Sequence, residues 1–81
     1  MKVLIYLEGG IPCVVEVIKA CYTEDLAKDI GTTCFPTDGL VLVTKDTNYG
    51  FPGVSREECE EVVRELFFLG KHDLTRFGYA Q

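Results

Sequence analysis

The sequence predicts an α+β domain: a small, mostly antiparallel sheet of four to five strands, made of two hairpins and packed with one short and one long amphipathic helix. Three observations predict it. Two runs rich in β-branched residues, Val3–Leu7 and Cys13–Ala20, are separated by Gly9-Gly10, a pair that reaches positive φ without penalty and suits a hairpin turn. Pro36-Thr37-Asp38-Gly39 has proline where a turn begins and glycine where it ends, between Thr33–Phe35 and Leu40–Thr44, which predicts a second hairpin. Ser55-Arg56-Glu57-Glu58 is a capping box at the head of a segment with helical periodicity. At 81 residues the chain has room for one domain, 1–81, and one modest core.

Taken in order, Pro12 lies near the start of the second strand, where it cannot donate a ladder hydrogen bond and is expected to face away from the partner strand. Thr23 to Gly31 forms the short helix: Thr23 can cap the first turn, Glu24 and Asp25 favour its positive end, and Gly31 can close it. The second hairpin follows. Asp46 to Val54 is expected to be a loop, because Asn48, Gly50, Pro52 and Gly53 are breakers, with Tyr49 and Phe51 held among them. The long helix runs from Ser55 to about Leu69, with Gly70 in the left-handed position after it and Lys71 favourably placed against the dipole. Leu74 to Tyr79 can add a fifth strand.

At 100° per residue, Cys59, Val62, Val63, Leu66 and Leu69 share the apolar face of the long helix, which belongs to the core. Glu57, Glu61 and Glu65 stack on another face with Glu58 beside them, successive carboxylates about 6 Å apart along the axis. Five glutamates against Arg56 and Arg64 give this helix −3 of the chain's −5. Phe68 falls in the same acidic sector and needs a cover. The strands pose a similar problem. Val3, Ile5 and Leu7 point one way and Leu4 and Tyr6 the other, while Val14 and Ile18 oppose Cys13, Val15 and Val17. Both faces are apolar, so either the two helices divide between them or one face is buried against another molecule, with Leu4, Tyr6, Val14 and Ile18 as contacts.

The composition excludes several functions. Eight Lys and Arg against thirteen Asp and Glu, with no basic cluster, leave no footprint for phosphate backbones or an anionic membrane, so no direct nucleic-acid or membrane binding is expected. The first apolar run is too short for a signal peptide, and a cytoplasmic protein with reduced thiols is expected. A catalytic serine would need the only serine, Ser55, beside the only histidine, His72; a helix cap accounts for Ser55 instead. Cys13, Cys21, Cys34 and Cys59 show no CxxC spacing and suit burial as small hydrophobes, so neither a metal nor another cofactor is expected. Cys21, just before a helix start, is the best-placed thiol nucleophile to pair with His72. Tyr49 and Phe51 have two readings: anchors for a partner at a loop tip, or a lid folded back onto the core.

The expected function is therefore that of a small acidic, non-enzymatic interaction protein working through protein–protein contact, self-association included. Its sharper form is an inhibitor whose carboxylate stripe occupies a basic, nucleic-acid-binding surface of its target. In size and charge alone it resembles small acidic inhibitors made by phages. The alternative is a cysteine-based redox or zinc-binding protein.

Overall fold

The structure, a computed structural model, describes residues 1–25 and 38–80. Its centre is a five-stranded sheet in the order β4-β3-β2-β1-β5, formed by β1 (Lys2–Leu7), β2 (Ile11–Tyr22), β3 (Gly39–Thr44), β4 (Asn48–Pro52) and β5 (Tyr79–Ala80). One long helix, Arg56–Phe67, packs against β2 and β3. A helical segment opens at Thr23, and a 3-10 turn, Thr75–Phe77, precedes β5. The remainder of the short helix, Thr33–Phe35 and Cys34 lie outside the described residues.

The first hairpin is as the sequence predicts: β1 and β2 are antiparallel, and both Gly9 (φ 85°) and Gly10 (φ 78°) take the left-handed backbone that the turn requires. Leu4 sends its N–H to the His72 carbonyl and accepts from the Leu74 N–H, so its polar groups point away from β2. By strand parity Tyr6 does the same. Its partner Pro12 therefore sits at a pair that exchanges no hydrogen bonds, where its missing N–H costs nothing on that edge.

β2 is longer than the expected strand and serves two partners. Residues from Ile11 to Glu16 pair with β1, and those from Val17 to Tyr22 pair with β3. A bulge between Val17 and Lys19 shifts the register. This extra residue resets the alternation, so Val15 and Val17 before it and Ala20 after it all face the core.

The second hairpin differs from expectation. Leu40–Thr44 lies within a strand, but its hairpin partner is β4, across a turn at Lys45–Thr47, where a loop was expected from Asp46 to Val54. The breakers fit the strand for separate reasons. Gly50 is buried opposite Val41, Pro52 ends the strand, and alternation turns Phe51 into the core. The tail supplies the fifth strand, shorter than the expected span: it runs parallel to β1, first as a bridge between Leu4 and Asp73 and then as β5, with the 3-10 turn between.

The long helix begins as its capping box dictates. Ser55 has extended backbone, accepts a hydrogen bond from the Glu58 N–H and donates its hydroxyl to the Glu58 carboxylate. Cys59, Val62 and Leu66 are buried against the sheet. Leu69 is not: the α-helix ends at Phe67, and Gly70 (φ 67°) turns the chain so that the Lys71 N–H returns to the Glu65 carbonyl, leaving Leu69 beyond the sheet.

The far end of β2 is locked to the start of β3. The buried Thr23 hydroxyl accepts from the Gly39 N–H at 2.7 Å and donates to the Gly39 carbonyl at 2.8 Å. Gly39 itself lies so near the Phe51 carbonyl that a Cβ would collide with it. Thr23→Val should cost about 1–3 kcal/mol, because the Gly39 amide loses its acceptor while buried, and Thr23→Ser should recover most of it. Gly39→Ala should cost more than Thr23→Val, since backbone has to move. Urea unfolding of the three variants checks this order.

Candidate functional site

Three groups of residues stand out as candidate contacts, and the fold treats them differently. The first is the acidic side of the long helix. Glu57, Glu58 and Glu61 are exposed, as is Glu60, and the 1.5 Å rise per residue spreads them along the first half of the helix. Glu57, Glu60 and Glu61 make no ion pair among the described residues. Glu65 leaves this set: it is mostly buried and accepts from the Arg76 guanidinium at 2.7 Å, so the tail cation answers the acidic helix at this one point. Phe68, directly beyond the helix end, is 80% exposed, with Phe67 and Leu69 exposed beside it. Helical spacing puts Phe68 on the line of Glu57 and Glu61, with Arg64 one turn before it.

The second group is the sheet. Val3, Ile5, Val15 and Val17 are buried on the side that the helix covers. Leu4 and Val14 are direct cross-strand partners on the other side, as are Tyr6 and Pro12. Tyr79 of β5 joins them, its ring meeting Tyr6 edge-on at 6.5 Å. Val14 and Ile18 are each 61% exposed, and Leu4 and Tyr6 are half-buried. The apolar second face expected from the strand pattern is thus open over the β1–β2 half of the sheet. Toward β3 the same face is closed, with Cys21 and Val41 buried together and Val43 packed on them.

The third group, the aromatic pair, divides. Phe51 has no exposed surface and meets Phe77 edge-on at 6.3 Å, so it is a core residue that no partner reaches. Tyr49 is half-buried and packs against the same core. The reading of the pair as a lid describes Phe51; a loop tip does not exist there.

Two of the thiols, Cys21 and Cys59, are buried. Cys59 is buried, and its thiol is pushed up from an ordinary 9.0 to about 11, chiefly by burial and secondly by the neighbouring Cys21. It is protonated at neutral pH. Cys21 is also buried and packs with Val41. Among the described residues no three His, Cys, Asp or Glu side chains converge in a way that could hold a metal ion. Nor is any helix long and apolar enough to cross a membrane among them. His72 is exposed, and its backbone carbonyl is what receives the Leu4 N–H.

Sequence reasoning did not find the cluster around Arg56. Its guanidinium bonds Asp25 at 3.0 Å and Glu24 at 2.8 Å and lies 4.7 Å over the Tyr22 ring, which holds the helix start against the end of β2. The hydrogen bond it donates to Asp25 leads the causes that raise its pKa further. The signal in the sequence is the acidic pair Glu24-Asp25, for which the helix dipole is by itself a sufficient reason. Asp73, beside Leu4, is held below the ordinary carboxylate value by hydrogen bonds from the Thr75 hydroxyl and N–H.

The raised Cys59 pKa has a measurable consequence. The unfolded chain gives up this proton near pH 9, while the folded chain keeps it to about pH 11. Stability is therefore complete below pH 9 and falls as pH rises through this window, with a slope of up to about 1.4 kcal/mol per pH unit from this group. Urea unfolding at pH 8 to 11 should show a decline that is shallower in Cys59→Ala. Compared with protein-family models, curated protein sequences and solved structures, the chain matches none of them.

Proposed function

We propose that this protein is a non-enzymatic interaction protein that docks through the outer side of its long helix onto a cationic surface of a protein target, and inhibits that target by occupying its nucleic-acid-binding site. The observation that carries this reading is the line formed by Glu57 and Glu61, exposed and without an ion pair among the described residues, ending in the exposed Phe68. Carboxylates on such a line supply long-range steering and orientation to a basic surface. A large aromatic ring at its end supplies the apolar anchor that charge alone lacks. The helix that presents both is fixed to the sheet by Cys59, Val62 and Leu66 and at its head by Ser55 and Arg56, so little ordering is needed on binding. The chain itself would not contact nucleic acid.

The enzyme reading has less to support it. Ser55 is occupied as a cap, Cys59 is held protonated, and His72 contributes its backbone to the sheet. Affinity capture from the native cell, with the wild-type chain and a Glu57→Gln/Glu61→Gln/Phe68→Ala variant as parallel baits, tests the proposal. Only the wild type should retain a basic nucleic-acid-binding protein, and raising salt from about 0.1 M to about 0.5 M should release it. Equal retention of that protein by both baits, or binding indifferent to salt, would contradict the proposal.

A further inference from the structure

We infer that the outer edge of β2 between Pro12 and Glu16 is a strand-addition site, which takes an extended peptide segment of a partner protein as a further strand. The hydrogen bonding of the sheet leaves this edge open. Leu4 bonds His72 and Leu74 on the far side of β1, so its cross-strand partner Val14 turns both its N–H and its carbonyl away from β1. On that side β3 reaches only as far as Val17. Among the described residues nothing accepts from the Val14 N–H, and its carbonyl receives only the Cys13 thiol, at 3.9 Å. Pro12, two residues earlier, faces the same edge with a carbonyl and no N–H.

A cleft of about 260 Å³ lies along this edge, lined by β2 from Cys13 to Glu16 and, from the β3–β4 turn and the start of β4, by Thr44, Lys45, Thr47 and Tyr49. It is smaller than the roughly 300–1,000 Å³ of a small-molecule pocket. The turn bonds its own polar groups between Thr44 and Thr47, so it competes for neither group of Val14. An extended chain is the occupant that matches this edge: a residue opposite Val14 bonds both groups at once, as in any hydrogen-bonded antiparallel pair. The side chain of that residue falls beside Val14, which is 61% exposed on the open apolar face, so a β-branched or aromatic residue fits there. A second copy fits less well. With Val14 opposite Val14 about a two-fold axis, Pro12 of each copy would face Glu16 of the other, and one bond of each such pair would be missing. The site uses none of Glu57, Glu61 and Phe68, so its failure would leave the proposal for the helix untouched.

Selection from a random-sequence heptapeptide library on the immobilised full chain tests it. Peptides should be enriched, and saturation with an enriched peptide should slow hydrogen exchange at the Val14 amide, read by NMR, at least tenfold. Val14→Pro removes the donor and leaves a residue that a strand edge tolerates; with circular dichroism showing an unchanged fold, it should weaken peptide binding at least tenfold, while Phe68→Ala should leave binding unchanged. No enrichment, enriched peptides that leave Val14 exchange unaltered, or equal binding to the folded Val14→Pro variant would overturn the inference. So would a Val14 amide whose protection in the peptide-free chain rises with protein concentration, which would put a second copy on this edge.

Discussion

Everything in this fold hangs on β2. Its first half pairs with β1 and its second half with β3, so one twelve-residue strand joins the two hairpins into a single sheet. Without the bulge between Val17 and Lys19, the core alternation would invert halfway along it, and Ala20 would point to the face opposite Val15 and Val17. The bulge keeps Val15, Val17 and Ala20 on one buried side of the strand, the side on which the long helix packs. Thr23 then fixes where the strand ends by bonding both polar groups of Gly39. The helix is held at its own start by Arg56, which grips Glu24 and Asp25 just past the end of the same strand.

The parts of this architecture that were legible in the sequence are those set by local chemistry. Gly9-Gly10 and the Ser55 capping box each act within a few residues, and both stand in the structure as written in the chain. β4 was not legible, because Asn48, Gly50, Pro52 and Gly53 have breaker propensities, while what makes a strand there is tertiary: Phe51 fills the core and its neighbours pair with β3. The bulge left no local mark either. Period-two counting along β2 saw apolar residues on both sides, which was correct as far as Ile18, since Val14 and Ile18 are indeed exposed. On the helix, periodicity placed Cys59, Val62 and Leu66 correctly but carried Leu69 one turn too far, past the point where Gly70 redirects the chain.

The surface that results is segregated. Glutamates without an ion pair among the described residues gather on the outer side of the helix layer, Phe67, Phe68 and Leu69 collect at its end, and the open apolar face lies on the reverse of the sheet. Of the stripe read from helical spacing, Glu65 was removed by a contact eleven residues away, with Arg76, that no helical wheel could show. A single helix of twelve residues cannot shield two faces of a sheet, and the chain spends it on the face where Phe51, Ile5 and Leu40 need complete burial.

The central claim is that β2 has one buried side and one open side between Val14 and Ile18. Single threonine substitutions down the strand measure this most directly, because threonine keeps the β-branched shape while placing a hydroxyl where a methyl was. Unfolding free energies, taken at several protein concentrations and extrapolated to dilute solution, should alternate: Val15→Thr and Val17→Thr should each lose about 1–3 kcal/mol. Val14→Thr and Ile18→Thr should stay within about 0.5 kcal/mol of wild type. Losses at positions 14 and 18 equal to those at 15 and 17 would contradict the account.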